Sequence, residues 1–173
     1  MTKPTFYCRE IEQADWPTIL RIQSEVYYAF TPESEAVMRS KATHGPLTSF
    51  VAVDQNAAIV AYCLAHPYPA NRAAVLGRDD PLPMTPTDNL YVHDLAVQKA
   101  SAGRGVAHTL FNHLASTARL KGYRTMSLVA VQQAASFWRK LGFIPAAQST
   151  INDSYTGAAT FMTKAIDTAT GSE

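Results

Sequence analysis

Apolar positions along the chain switch repeatedly between two spacings, and each switch marks an element. Phe6–Ile11 reads as a first strand. Trp16, Ile19, Leu20, Val26, Tyr27 and Phe30 then recur at helical spacing, which predicts a helix with one apolar face. Asp15 stands at its N-cap position and Pro17 just inside it. A second, shorter helix is predicted over Glu33–Lys41, and Gly45-Pro46 breaks the chain after it. Leu47–Val53 and Ala57–His66 form a predicted hairpin around the turn residues Asp54, Gln55 and Asn56. Residues 67–88 carry Pro67, Pro69, Pro81, Pro83 and Pro86, a density that no helix or central strand tolerates. That stretch is a loop insertion, and long loops in compact domains are usually functional or disordered.

Beyond the loop the pattern strengthens. Asn89–Val97 is a strongly apolar strand. A helix runs from Gly103 or Arg104 to Lys121, with a core face of Val106, Leu110, Phe111, Leu114 and Ala118. Lys121 and Gly122 supply its C-terminal charge and cap. Thr125–Ala130 is a strand apolar enough to be buried on both faces. Gln132–Leu141 is a short helix closed by Gly142, and Ile144–Asn152 and Gly157–Lys164 are two closing strands. The class is α/β of the mixed, α+β kind, with one parallel strand–helix–strand unit over Asn89–Ala130. With no internal repeat and no linker, residues 1–173 are expected to form one domain.

Composition narrows the partners more than the fold. The 173 residues are 47% hydrophobic and 17% charged, with a formal net charge of +1. Such a chain folds into a core, and it lacks the basic clusters of a nucleic-acid or membrane-surface binder. No run approaches the ~18 apolar residues of a membrane span, and no signal peptide is evident, so a soluble cytoplasmic protein is expected. Cys8 and Cys63 are too few for a disulfide framework and are expected as buried thiols. His108 and His113 are five apart and do not share a helix face as metal ligands would, and no metal site is expected.

Candidate chemistry concentrates at the helix start after Asn89–Val97. A helix N-terminus offers unpaired N–H groups and a partial positive charge, a ready anion site. Gly103, Gly105 and Ala107 keep side chains out of the way of approaching phosphate oxygens, and Arg104 adds a cation. Read locally, the Gly-x-Gly fits an ordinary strand-to-helix turn equally well. Ala102 and His108 stand where a dinucleotide fingerprint would need glycines, and no Gly-Lys-Ser/Thr follows for a P-loop.

Leu95-Ala96-Val97, four variable residues, and Ala102-Gly103-Arg104-Gly105-Val106-Ala107 together resemble the coenzyme A-binding motif of the GNAT acyltransferases. Ala102 replaces that motif's first Arg or Gln. Phe137-Trp138-Arg139-Lys140-Leu141-Gly142-Phe143 resembles the family's second signature, aromatic-Tyr-x-Lys-x-Gly-Phe, in the family's order and separation. The resemblance implies a GNAT fold: a sheet of six to seven strands with a splayed parallel pair, flanked by about four helices. It implies acetyl-CoA as acyl donor. The coenzyme would be held by Leu95, Ala96, Val97, Ala102–His108, Phe137, Trp138 and Arg139, with the pantetheine arm beside the main chain of Leu95 and Val97. The partner implied is an amine, on a small molecule or a peptide. A homodimer through apolar patches of the last strands is compatible.

For the chemistry itself His93 is the expected base, since imidazole titrates near neutrality. Regular alternation places residues 91, 93, 95 and 97 on one face and Asp94 on the other. Tyr91–Val97 is similar to the acceptor strand of the serotonin N-acetyltransferases, where histidines face the amine: His93 coincides with one, and Tyr91 replaces the other. A hydrogen-bonded core histidine is the competing reading. The family's general acid is the Tyr of its second signature, but here Trp138 stands in that place, with no useful acidity. Tyr155 and Tyr91 are substitutes, each also compatible with plain packing. Asp79 and Asp80 in the loop are candidates for attracting a cationic amine, and a solvated insertion is the competing and preferred reading of that loop. An N-acetyltransferase, a non-catalytic acyl-CoA-binding module and a nucleotide-binding α/β protein are the three readings, separated by which ligand binds and whether thiol is released.

Overall fold

The structure is a computed structural model, and it describes residues 5–28, 30–79, 86–146, 151, 154–155 and 158–167. Among the described residues seven strands form one sheet: β1 (Tyr7–Glu10), β2 (Phe50–Val53), β3 (Ile59–Pro67), β4 (Asn89–Val97), β5 (Thr125–Ala130), β6 (Ile144–Pro145) and β7 (Thr160–Ala165). Their order is β1-β2-β3-β4-β5-β7-β6. All neighbours are antiparallel except β4 and β5. Four helices cover it: α1 (Trp16–Val26), α2 (Glu35–His44), α3 (Val106–Leu120) and α4 (Ala135–Lys140). This mixed sheet, with its parallel pair and about four helices, is the topology of the GNAT fold.

Alternation along each strand builds two apolar layers. Phe50, Ala52, Cys63, Leu90, Val92, Met126 and Leu128 pack against α3 and α4 through Val106, Leu110, Leu114 and Trp138. Val51, Val53, Tyr62, Leu64 and Ala96 face α1 and α2 through Trp16, Ile19, Ile22 and Met38. Thr125–Ala130 is buried from both sides, as its composition predicts.

Most element ends differ from the sequence reading by one to three residues, and the following bear on the site. The first helix stops at Val26, because Tyr27 turns to an extended backbone (φ −96°, ψ 123°). Tyr27 and Phe30 therefore leave the helix and stack on each other, ring centroids 5.1 Å apart. Asp15 holds the N-cap position but does not cap. Its carboxylate takes both guanidinium nitrogens of Arg9, at 2.7 and 2.9 Å, and that hydrogen bonding keeps it below the usual carboxylate range. The second helix begins at Glu35, since Ser34 accepts the Val37 N–H at 3.3 Å as N-cap, so Glu33 lies outside it. Of the closing strands, the described part is shorter than expected, and Asn152 and Gly157 lie outside the described residues.

Gly45, the C-cap of α2, sits against β3. A Cβ there would lie 1.8 Å from the Ala65 carbonyl oxygen, which also accepts from Thr48 Oγ1 at 2.7 Å. Gly45→Ala is expected to cost roughly 2–3 kcal/mol, because backbone, not a flexible side chain, must give way. Urea denaturation at neutral pH measures it. Wild-type stability in the variant would mean that the helix end shifts freely.

The register of β3 and β4 carries the feature that matters most for the site. Ala65 pairs with Val92 and Leu64 with Asp94, so His93 is an extra residue, a β-bulge. Regular alternation breaks there. Leu90, Val92, Leu95 and Val97 pack on the α3 side, whereas Ala96 packs on the α1 side. Tyr91, His93 and Asp94 meet residues of that same α1 side. The expected common face for residues 91, 93, 95 and 97 is thus corrected: 91 and 93 share theirs with 94, not with 95 and 97. Among the described residues no helix is long and apolar enough to cross a membrane.

Candidate active site

β4 and β5 pair over only three positions, Asn89–Tyr91 with Thr125–Ser127. Beyond them β5 stays paired to β7 and β4 to β3, so the two strands part. A cavity of about 200 Å³ opens in the gap. Val26, Tyr27, Phe30 and Glu33 line it from the α1 side, and Leu128, Ala134 and Trp138 from the α3–α4 side. His93, Asp94 and Leu95 edge it from the bulge of β4. The cavity therefore reaches both faces of the sheet.

The bulge places an acid–base pair beside this opening. His93 Nε2 meets Glu33 Oε1 at 2.6 Å, with side-chain exposures of 0% and 3%. Gly77, in the loop after β3, donates its N–H to Glu33 Oε2 at 2.8 Å. Glu33 is also fixed through its main chain. Its N–H donates to Gln23 Oε1 at 2.8 Å and its carbonyl accepts from Gln23 Nε2 at 3.1 Å. Burial pushes the Glu33 carboxyl up, but the His93 charge and hydrogen bond, the Gly77 N–H and Lys41 outweigh it and hold it below its ordinary value. An ionised Glu33 assigns the proton on that contact to His93 Nε2. His93 Nδ1 is then the ring's other nitrogen, buried without a partner. The imidazole side chain is 0% exposed, and its Nε2 faces Glu33 at the edge of the cavity.

Asp94 belongs to a second buried group. The Tyr62 hydroxyl donates to it in a short hydrogen bond, and the Tyr27 hydroxyl also interacts with it. Burial raises its carboxyl to about 6. The Tyr27 hydroxyl donates to the Leu95 carbonyl at 3.0 Å. That carbonyl was expected beside the pantetheine arm; it keeps a second lone pair. His66 packs 6.1 Å from His93 between ring centroids, and its Nδ1–H donates to the Pro67 carbonyl at 3.1 Å. Burial drives His66 down to about 3.

The remaining catalytic candidates meet each other. Tyr91 and Tyr155 share a hydroxyl–hydroxyl contact of 3.0 Å, and Tyr155 lines the cavity while Tyr91 is 1% exposed. Burial raises the Tyr91 phenol well above its ordinary value. Trp138 lines the cavity too, but packs edge-on among Phe111, Phe137 and Phe143 at 5.1 to 6.0 Å. From the loop after β3, Leu76 joins the cavity wall. Asp79 turns instead to His44, 3.9 Å away, and Asp80 lies outside the described residues. Cys63 is buried, but Cys8 only partly.

At the start of α3 the anion-site geometry is present. Gly103 (φ 75°) and Gly105 (φ 85°) adopt left-handed backbone that favours glycine. A Cβ at either would meet nothing within 4 Å, so the space outside them is open. The first helical bond runs from Thr109 N–H to the Gly105 carbonyl, leaving the N–H groups of Val106, Ala107 and His108 ahead of it. Arg104 stacks over Phe6 at 5.8 Å. The His108 ring meets Phe137 at 5.6 Å, and Phe137 meets Trp138 at 5.1 Å. These contacts join the two sequence motifs and lead from the cradle to the cavity. The residues present thus fit a pyrophosphate-bearing ligand. Arg139 is exposed on α4.

A family model described as Acetyltransferase (GNAT) family matches residues 8–143. The chain belongs to that family. Solved structures of other GNAT-fold proteins superpose over almost the whole length. Ard1 from Thermoplasma volcanium gives a TM-score of 0.69 at 17% identity, covering 93% of this chain and 97% of that one. The ribosomal-protein-S18-alanine N-acetyltransferase of Escherichia coli gives 0.67 at 17% identity, covering 96% and 97%. A phosphinothricin acetyltransferase from Sinorhizobium meliloti, solved in complex with AcCoA, gives 0.68 at 22% identity, covering 99% and 93%. Identities this low establish the shared GNAT fold. No curated protein sequence matches.

Glu33 and Tyr27, which line the cavity, and Tyr62, which bonds Asp94 beside it, are residues that sequence reasoning did not single out. Ser34 was the available signal for Glu33: as an N-cap it starts the helix at Glu35 and frees the residue before it. Among the described residues no group of three or more His, Cys, Asp or Glu is placed to hold a metal ion.

Proposed function

We propose that the protein is an acetyl-CoA-dependent N-acetyltransferase acting on a primary amine by direct attack on the thioester. One observation carries this: the Glu33–His93 pair stands at a cavity through the parted strands, joined by aromatic contacts to an anion cradle. The coenzyme supplies an activated acyl group on a thiolate of pKa ~8.5, a fair leaving group. In this reading N–H groups of residues 103–108 hold its pyrophosphate, and Leu95, Ala96, Val97, Phe137, Trp138 and Arg139 flank the rest. Glu33 meets the acceptor ammonium and takes its proton, with His93 behind it sharing the charge. Tyr155, steadied by Tyr91, holds a proton on the cavity wall where Trp138 cannot supply one. The likeness of Tyr91–Val97 to the acceptor strand of serotonin N-acetyltransferases supports an amine on the α1 side.

Trp138 favours a second reading, a GNAT domain that binds acyl-CoA without turnover. It fills the family's acid position and is packed in an aromatic cluster. Calorimetry with acetyl-CoA, followed by thiol release over an amine panel, separates the two. Binding with release supports the enzyme, and binding without release on any amine supports the module. No binding at millimolar coenzyme sinks both. Gly105→Val is expected to weaken binding at least tenfold, because a β-branched residue resists the left-handed backbone and fills the cradle. Unchanged affinity would remove the cradle from the site.

A further inference from the structure

We propose that the acceptor is a small primary amine on a short, uncharged apolar stem, with no acidic group beside the amine, and that Glu33 and its surroundings select for it. The inference rests on the N-acetyltransferase reading and narrows its substrate. It follows from the charges that surround the acceptor side of the cavity.

Val26, Phe30, Leu76 and Val129 make that side apolar, and the carboxylate of Glu33 sits among them. The cavity continues outward past Phe30, Glu33 and Leu76 into a surface groove bordered by Tyr28, Pro32 and Ser154. No Lys or Arg lines either space among the described residues. Of the surrounding cations, Arg39 and Arg72 are engaged with other side chains, and the charge of Lys41 already acts on Glu33. Lys41 is buried and donates to the Arg78 carbonyl at 2.8 Å, Arg39 pairs with Glu35 at 2.6 Å, and Arg72 lies over Tyr68 at 5.9 Å.

An acceptor such as an amino acid carries a carboxylate two bonds from its amine. Seating the amine at Glu33 would bring a second carboxylate into a partly desolvated space with no Lys or Arg in its described lining, where His93 and Lys41 already act on Glu33. Like charges so placed repel strongly, and a site discriminates by such unpaired charges as much as by attraction. A plain ammonium meets the opposite situation, a fixed and ionised partner. At about 200 Å³ the cavity is below the ~300–1,000 Å³ of pockets for larger ligands, which favours a short stem. The transfer balances as amine plus thioester giving amide plus thiol, the proton lost by nitrogen being the one gained by sulfur.

Matched pairs differing only in the carboxylate test this. Isoamylamine against leucine and 2-phenylethylamine against phenylalanine, with phosphinothricin and an alanyl peptide amide, are compared by kcat/KM in the thiol-release assay. The uncarboxylated member of each pair is expected to lead by roughly 100-fold or more. Leu76→Arg, which adds a cation to the wall, is expected to narrow that ratio at least tenfold. Equal or better turnover of leucine, phenylalanine or phosphinothricin overturns the proposal, as does turnover confined to the peptide. Calorimetry of isoamylamine and leucine on the protein saturated with coenzyme A separates the two levels. Selective isoamylamine binding without thiol release removes the transferase reading and keeps the acceptor inference. Leucine binding as tightly as isoamylamine removes the inference whatever the assay shows.

Discussion

Glu33→Gln is expected to lower kcat by roughly 10²–10⁴-fold, the range of a lost general base, with coenzyme affinity unchanged. The substitution keeps the size and one acceptor oxygen for the Gly77 N–H, while the amide NH2 faces His93, whose Nε2 must then accept. It removes the charge that holds an ammonium and the basicity that takes its proton. The loss should persist at saturating amine near neutral pH and narrow at higher pH, where more of the amine arrives as free base with no proton to remove. Steady-state kinetics across pH with calorimetry for the coenzyme measure both halves. A kcat within twofold of wild type would make the Glu33–His93 pair a structural tie between the α1–α2 connection and β4.

The second large effect is on stability in acid. His66 is neutral in the folded protein because burial lowers it from 6.5 to about 3. The unfolded chain binds a proton between those values and the native one does not, so stability falls as pH drops through that window. The difference corresponds to about 5 kcal/mol by pH 3, comparable with the ~5–15 kcal/mol that holds a domain together. Glu33, held below its ordinary value, loses its contribution as pH falls through its folded value, in the same direction. Asp94 works the other way. Raised to about 6, it is protonated in the native state first, so its effect favours the fold as pH drops from 6 toward 4. His66→Phe keeps a ring and removes the titration. Denaturant unfolding from pH 7 to pH 4 is expected to show a steep loss for wild type and a flat or rising profile for the variant. Parallel profiles would place the acid sensitivity elsewhere.

Elements with long periodic patterns were legible from residues alone. Asn89–Val97 and Thr125–Ala130 are read to the residue, because continuous β-rich apolar runs bounded by turn residues leave little choice. The α3 core face is likewise the one that spacing gives. What periodicity misses is where a pattern stops. Tyr27 and Phe30 fit helical spacing, yet they turn away to stack and to line the cavity. The proposed coenzyme side stood out as a candidate because the residues of its cradle are contiguous around one helix start. The acceptor side did not, because Glu33 meets His93 across 60 positions of sequence. No local spacing encodes that contact; it depends on where α1 releases the chain and on the bulge in β4.

That bulge has a consequence for how the strand tolerates change. A pleated strand keeps parity, so neighbouring residues look away from each other, and one side can show at most every second residue. The extra residue at His93 suspends this rule once and lets consecutive positions, an imidazole and a carboxyl, look the same way. Losing one residue anywhere between Val92 and Asp94 would leave the composition of β4 nearly intact. It would nonetheless reverse the sidedness of one half of the strand against the other, exchanging core for chemistry. The strand is thus far more sensitive to its length than to its letters.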